Sequence, residues 1–436
     1  PNPMNGAASD FNAITAAVVS FCILLAPLAL TGLAIANTGL GRSRSASHAM
    51  LSALCVLGMA ALAWFVCGFA WQGYPGRPEH AIAAARVQWN WIAAEPFFFR
   101  GLALDGSPAA LAAWLQIFSV ALAALIPLGA GADRWRLGAA CFSTALLAGW
   151  TYPLFAHWVW GGGWLAQVGT QHGLGRGFQD PGGASTIHAV GGLTALAVAW
   201  IVGPRRGKFS PEGTAAIPGH NAVLVAFGAL LALPGWIGIN AAGSMLFAAA
   251  GPGALPLVAV NTTLSAGMGA LAAAAMTRFR FGRPDASLCA NGWFGALAAS
   301  SGCCLFVAPA AAALIGLVAG ALVAYCVELL DLRLGIDDPG GSISQHAIGG
   351  IWGLLAAGWF ARAAYAPEGQ ALAQLVGIAT LLGFVLPLSY GLNWLLNRIF
   401  PQRVSAEGEW QGLDLYELGA GAYPEFVIHR EDFPQR

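Results

Sequence analysis

Residues 180–193 read DPGGASTIHAVGGL, and residues 338–351 read DPGGSISQHAIGGI. Both segments contain Asp-Pro-Gly-Gly, a histidine eight residues after the aspartate, then Ala, a β-branched residue, a Gly-Gly pair and an aliphatic residue. Two matches of this density within one chain indicate an internal duplication.

Each copy has the features of a helix start. Asp180 and Asp338 can cap the free N–H groups of a first turn, and the prolines that follow them suit the first helical position. At about 1.5 Å per residue, His188 and His346 lie roughly 12 Å along their helices, close to half the hydrocarbon thickness of about 30 Å. The Gly-Gly pairs share the face of each histidine and permit close backbone approach. If the two helices enter from opposite sides, we expect the histidines to meet near the midplane.

The composition indicates a polytopic membrane protein. Of the 436 residues, 57% are hydrophobic and only 9% are charged, with a mean hydropathy of +0.65, whereas a soluble domain has about 25% charged residues. The formal net charge is zero, which argues against a nucleic-acid partner. The chain has no nucleotide-binding loop, serine triad or zinc signature, and its eight cysteines lack CxxC or CxxH spacing. We therefore expect no metal, no cofactor and no enzyme activity.

Apolar runs long enough to span a bilayer predict an all-α fold with eleven transmembrane helices. Their expected positions are about 10–38, 46–71, 109–131, 137–156, 184–203, 220–240, 255–277, 286–304, 308–330, 343–362 and 371–397. The N-terminal segment PNPMNGAASD lacks the basic region and the apolar core of a signal peptide.

The distribution of Lys and Arg predicts the orientation of the chain. With the N-terminus outside, fifteen of these residues fall in inner segments and five in outer segments, a strong positive-inside bias. The inner residues are Arg42, Arg44, Arg134, Arg136, Arg205, Arg206, Lys208, Arg278, Arg280, Arg283, Arg333, Arg398, Arg403, Arg430 and Arg436, and the outer residues are Arg77, Arg86, Arg100, Arg176 and Arg362.

This orientation makes the two copies antiparallel, because the fifth helix then runs inward and the tenth runs outward. Residues 10–203 and 220–362 are therefore predicted to form inverted repeats of five helices each, with a site between them near the midplane. The eleventh helix falls outside the repeat. We expect residues 1–397 to form one transmembrane domain and residues 398–436 to form a cytoplasmic tail.

Several further motifs accompany the twin histidines. They are FAHWVWGGGW (155–164), DPGGASTIHAVGG (180–192), GHN (219–221), GWIGINAAGS (235–244), DDPGGSISQHAIGGIWG (337–353) and, in the tail, EWQGLDLYELG. In these motifs and their order, the chain resembles the ammonium transporter family (Amt/Mep/Rh) over essentially its whole length. The resemblance implies transport of ammonium or ammonia across the cytoplasmic membrane by a homotrimer with one narrow pore in each subunit. It also implies an outer N-terminus, a cytoplasmic C-terminus, and a regulator of the PII class as a partner at the cytoplasmic face.

The resemblance also implies roles for individual residues. Trp160 presents its indole face to the cation, a contact worth roughly 0.5–2 kcal/mol, and Asp180 adds a negative charge at the outer entrance. His188 and His346 share a hydrogen bond, line the middle of the pore and relay protons. Because a free cation is costly in a dry apolar bore, the family solution is outer recognition, deprotonation, and passage of ammonia and a proton.

The outer gate departs from the family pattern. Where the family has A-F-Q-x-x-F in the third helix, residues 114–119 read WLQIFS, and where it has W-F-G-F-N-A-G-S in the sixth, residues 236–244 read WIGINAAGS. The usual pair of stacked phenylalanines is therefore missing, with Ile239 at the second position. Phe118 neighbours Ser119, which stands where the third-helix motif has its second phenylalanine. The expected serine of the sixth helix is either displaced to Ser244 or replaced by Gly243. We take Phe118 and Ser244 as candidates for recognition and Ile239 as a candidate for the pore lining.

Three alternatives stand beside transport of ammonium. The altered gate is compatible with a sensor that binds ammonium but conducts little, and with a channel for another small solute such as a neutral gas, methylamine or water. A haem held by the two histidines is less favoured, since the Gly-Gly pairs on the same helix faces indicate a narrow channel.

Overall fold

The computed structural model describes residues 11–84, 87–211 and 213–423, and the chain is mostly helical, which confirms the all-α class. The long helices are α1 (Ala13–Leu40), α2 (Ser43–Gln72), α3 (Pro108–Gly131), α4 (137–160), α5 (Ala184–Val202), α6 (Ala222–Phe247), α7 (Leu255–Phe281), α8 (Ala286–Cys303), α9 (Pro309–Leu332), α10 (343–360) and α11 (Gln370–Ile399). Short helices lie at Trp164–His172, Ala406–Gln411 and Asp414–Leu418.

Nine helices in the described part of the chain are long and apolar enough to cross a membrane. Helices α8 and α10 are present at their predicted positions but are not among these nine, so the count of eleven crossings stays a prediction. The predicted end of the sixth helix at 240 is wrong, because α6 continues to Phe247. Residues 241–247 contain no proline, so the helix continues through them. Arg86, Arg430, Arg436 and the segment PNPMNGAASD lie outside the described residues.

Each DPGG segment forms the turn before a histidine helix, and the aspartate caps the first turn as predicted. The prediction that the proline takes the first helical position is wrong, because α5 begins at Ala184 and the wide turn of α10 begins at Ile343, after the two glycines. The second glycine of each copy has a left-handed backbone, with φ of 95° at Gly183 and 68° at Gly341, a conformation that favours glycine. The first turns of α5 and α10 are wide π-helical turns, 184–189 and 343–348, and each contains its histidine. Such wide turns are frequent at functional sites.

The first glycine of each copy joins the two halves of the chain. The N–H of Gly182 donates to the carbonyl of Ser301 in α8 (2.9 Å), and the N–H of Gly340 donates to the carbonyl of Gly129 in α3 (3.0 Å). Helix α1 packs along α6, and α5 packs against α10. These reciprocal contacts agree with two inverted repeats.

A hairpin that the sequence analysis did not predict fixes the end of α4. Strands β1 (Glu79–Ala84) and β2 (Val87–Ala93) pair antiparallel. The amide oxygen of Asn90 lies 2.9 Å from Nε2 of His157, and the other ring nitrogen lies 2.7 Å from a backbone carbonyl at the end of α2. These contacts hold α4 in place at His157, about one helical turn before Trp160.

A buried ion network joins the loops after α3 and α5 to the start of α10. Arg205 pairs with Asp337 (2.9 Å) and with Asp133 (3.1 Å). Arg134 is fully buried and donates to the carbonyl of Asp337 (2.8 Å). Burial alone would raise the pKa of Asp337, but hydrogen bonds from Arg205 and the charges of Arg134 and Arg205 hold that pKa below its ordinary value.

The described part of the tail, 398–423, packs against the starts of α2 and α4. The carboxylate of Asp414 accepts hydrogen bonds from the backbone N–H groups of Ser47 (3.1 Å) and His48 (2.7 Å). Glu417 lies 2.8 Å from Nε2 of His48 and accepts from the N–H of Leu137 (2.9 Å). The tail thus supplies the cap that the sequence of α2 lacks.

Candidate functional site

The two histidines lie together at the centre of the fold. His188 is 1% exposed and His346 is fully buried, and their ring centroids are 5.3 Å apart with planes inclined by 26°. The indole of Trp236 in α6 stacks on His188 at 4.9 Å and lies 6.2 Å from His346. The three rings therefore form one buried cluster with nearly parallel planes.

The expected hydrogen bond between the histidines is wrong. Nε2 of His188 lies 3.4 Å from the hydroxyl of Ser301, which also accepts the indole N–H of Trp236 (3.2 Å). Neither ring nitrogen of His346 has a hydrogen-bond partner among the residues that the structure describes. Nδ1 of His188 likewise has no partner among the described residues, so no hydrogen bond joins the two rings.

Trp160 ends α4 and lies next to the first DPGG turn. Its side chain is 5% exposed, and its indole N–H donates to the backbone carbonyl of Asp180 (2.7 Å). One face of the indole is stacked on Phe247, with centroids 4.5 Å apart and planes inclined by 9°. The residue predicted to bind the cation is thus fixed at one edge and covered on one face.

The carboxylate of Asp180 is engaged in capping α5. It accepts the backbone N–H groups of Gly183, Ala184, Ser185 and Thr186, at 2.7–3.2 Å, and the hydroxyl of Ser185. Five donors occupy its oxygens, so Asp180 holds the turn and, through its carbonyl, holds Trp160.

The structure separates the three remaining candidates. Phe118 is half-buried in α3, and among the described aromatic pairs the ring stacked on Trp160 is that of Phe247. Ile239 is 2% exposed in the core, and the hydroxyl of the buried Ser244 donates to the carbonyl of Asn240 in its own helix (2.7 Å). Among the described residues, no hydrogen bond or aromatic pair joins these three candidates to Trp160 or to the histidines.

Sequence reasoning did not assign roles to three residues that the structure brings to the site. Trp236 and Ser301 contact His188, and Phe247 contacts Trp160. The position of Trp236 within GWIGINAAGS was a usable signal, since that motif had already been singled out. Phe247 gave no signal, because the predicted sixth helix ended before it.

Comparisons with known proteins agree with this architecture. Residues 16–423 match the family model described as Ammonium Transporter Family. Ammonium transporter Amt2 of Archaeoglobus fulgidus is 33% identical over 437 residues, covering 95% of this chain and 89% of that protein. Ammonium transporter Amt2 of Haloferax mediterranei is 30% identical over 419 residues, covering 91% and 86%.

Solved structures share the fold. A structure described as "Sensor Amt Protein" superposes with a TM-score of 0.83 at 28% identity, covering 93% of this chain and 98% of that one. The structure of Mep2 from Candida albicans superposes with a TM-score of 0.78 at 22% identity, covering 98% and 94%. The second similarity concerns the fold alone.

Proposed function

The chain belongs to the Ammonium Transporter Family, and on that premise we propose that it moves ammonium or ammonia across the membrane along a path through His188 and His346. The membrane is proposed to be the cytoplasmic membrane, with the N-terminus outside and the C-terminus inside. The ion is recognised near Trp160, gives up a proton, and passes as ammonia beside the histidine pair.

One observation carries this proposal. His346 is fully buried and both of its ring nitrogens are unpartnered in the described structure. No protein group among the described residues occupies these nitrogens, and a buried polar group left without any partner costs about 1–3 kcal/mol, so a solute that bonds them is favoured. An imidazole with free ring nitrogens can exchange hydrogen bonds with a small solute that both donates and accepts, and ammonia has this chemistry.

The neighbouring groups support different roles for the two histidines. Ser301 faces Nε2 of His188, and Trp236 covers its ring, so His188 is held in place. His346 has the freer edge. We assign the proton relay to the pair, with His188 as the oriented member and His346 as the member that meets the solute.

Double substitution of the histidines tests the proposal. Wild-type protein in proteoliposomes on a solid support is expected to give a saturable ammonium-evoked current. The His188→Ala, His346→Ala variant is expected to lose that current. His80→Ala is the matched control, because His80 is exposed on β1 and is distant in sequence from both His188 and His346. Equal currents in all three proteins would remove the relay role.

A second candidate function is ammonium sensing with little conduction. The similarity to the structure named "Sensor Amt Protein" favours this function. The absence of phenylalanine at positions 119 and 239 favours it as well. Saturable ammonium binding by calorimetry, together with no current from the wild type, would favour the sensor. In that case the tail, which contacts α2 and α4, is the segment through which binding would signal.

Other proposals follow from family membership. We propose a homotrimer and a PII-class regulator that docks at the cytoplasmic face, near the tail. Native mass spectrometry measures the first, and co-purification with and without residues 398–436 measures the second. A channel for another small solute, such as methylamine, is tested by its current relative to that of ammonium.

A further inference from the structure

One face of the indole that is expected to meet the cation is covered by another residue of this chain. Trp160 and Phe247 are stacked nearly parallel, with centroids 4.5 Å apart. Offset-stacked aromatic rings at this separation are in van der Waals contact. No ion fits between them, so an ion that uses this indole face must part the rings.

The two aromatic rings come from different repeats and are held differently. Trp160 is fixed by its hydrogen bond to Asp180 and by burial. Phe247 is the last residue of α6, is half-buried, and precedes a loop in which Ala249 has a left-handed backbone, with φ of 51°. Of the two rings, that of Phe247 is therefore the one placed to move.

A side-chain hydrogen bond ties the end of α6 to the loop between α2 and the hairpin. The hydroxyl of Tyr74 donates to the carbonyl of Leu246 (3.0 Å), and its ring lies 6.5 Å from that of Phe247. The tether holds the backbone of α6 and leaves the Phe247 side chain to rotate. A side chain can thus swing away while its helix stays in place.

We propose that Phe247 is the lid and the second aromatic wall of the outer ammonium site, above Trp160. It supplies from the end of α6 the second ring that the third helix lacks at Ser119. In the resting state the rings close on each other, and on binding they hold the ion between two π faces. This inference rests on the proposed function and names the residue that sets its affinity.

Substitution of Phe247 separates a π wall from mere packing. Phe247→Leu keeps an apolar side chain but removes the ring face, so the ammonium concentration for half-maximal current is expected to rise about tenfold, the loss of one cation–π contact. Phe247→Tyr retains the ring and is expected to stay within about twofold of the wild type. Maximal current is expected to change little in either variant, since the histidine path is untouched.

The matched control is Phe227→Leu, because Phe227 lies on the same helix and is 54% exposed. It is expected to leave half-saturation unchanged. Equal half-saturation in the wild type and Phe247→Leu overturns the lid. If the wild type carries no current, transport fails as a proposal, and the same four proteins are compared by ammonium titration calorimetry. There, a dissociation constant about tenfold weaker in Phe247→Leu alone supports the lid, and equal constants or no wild-type binding overturn it.

Discussion

Gly243 lies where the backbone of α6 touches the turn that begins α5. A side chain there would meet the carbonyl oxygen of Pro181 and lie 3.6 Å from the Cα of Gly182. These are backbone atoms, and the turn they belong to is held by the hydrogen bonds of Asp180. The serine of the family pattern therefore has no room at position 243, which explains why this chain has Gly there and Ser at 244.

Gly243→Ser is expected to destabilise the protein by about 1–3 kcal/mol, because it overpacks a close backbone contact. Thermal unfolding of the purified protein in detergent measures the effect. Gly391→Ala is the control: that glycine lies in α11 with open space around its Cα, so a gain of about 0.4–1 kcal/mol is expected. If Gly243→Ser unfolds like the wild type, the turn can yield and the packing argument is wrong.

Residue types with a strong chemical signature could be predicted from the sequence, whereas their partners could not. The histidines, Trp160 and Asp180 stand in repeated or unusual motifs. The structure brings His188 next to His346, and Trp160 next to Asp180. Phe247 is one phenylalanine among 23, and only the fold shows which ring it covers. The hydrogen bond expected between the histidines is not formed, and the orientation of two rings depends on tertiary contacts that the sequence does not contain.

At the scale of elements, the end of α6 is defined by a contact from another segment. Tyr74, in the loop after α2, donates to the carbonyl of Leu246, which lies in the last turn of α6 and has no helical partner. Burial raises the pKa of Tyr74 to about 12, so its hydroxyl remains a neutral donor at physiological pH. The C-terminal ends of α2 and α6 are thereby joined.

Tyr74→Phe is expected to loosen that junction. The loss of one hydrogen bond, about 0.5–1.5 kcal/mol, should speed amide exchange at residues 246–250 between about twofold and about tenfold, because local opening becomes easier. Hydrogen–deuterium exchange by mass spectrometry measures the change. Tyr325→Phe, at a tyrosine that is 50% exposed on α9, should leave those amides unaffected. Unchanged exchange in Tyr74→Phe would show that α6 ends without this contact.

Hydropathy predicted the existence of the helices better than their ends and connections. Apolar runs define α1 to α11 closely, because a bilayer-spanning helix needs a long apolar stretch. The end of α6 and the β1–β2 hairpin depend on contacts with distant residues such as Tyr74 and His157. The pattern of apolar residues within a short stretch of sequence gives no information about those contacts.

At the scale of the whole molecule, the two repeats are joined by charge as well as by packing. Asp133 and Arg205 belong to the first half, and Asp337 belongs to the second. Arg205 is 3% exposed, so its charge needs both carboxylates. Removing one partner of such a buried pair leaves an uncompensated charge.

Asp337→Asn is expected to cost about 3–5 kcal/mol of folding stability at pH 7. Because the pKa of Asp337 is held below its ordinary value of about 4, its charge stabilises the fold above that value. This contribution is lost as the pH falls through the lower folded-state pKa, so the difference between wild type and variant should narrow toward pH 3. Thermal unfolding at several pH values measures it.

Glu328→Gln serves as the control for the charge network. Glu328 pairs with Arg280 at 2.7 Å, but the arginine side chain is 43% exposed, so no more than about 1 kcal/mol is expected. A similar loss in both variants would show that burial of the Asp337 network adds nothing.

The cap on α2 has a consequence for the order of synthesis. Asp414 and His48 are separated by 366 positions, so the ribosome must make all the helices between them before the first amides of α2 meet the carboxylate that satisfies them. The early helices must therefore insert before the start of α2 is capped, and docking of the tail is a late step of biogenesis. A nascent chain that stops before Asp414 leaves the start of α2 open to the proteases that remove unfinished proteins.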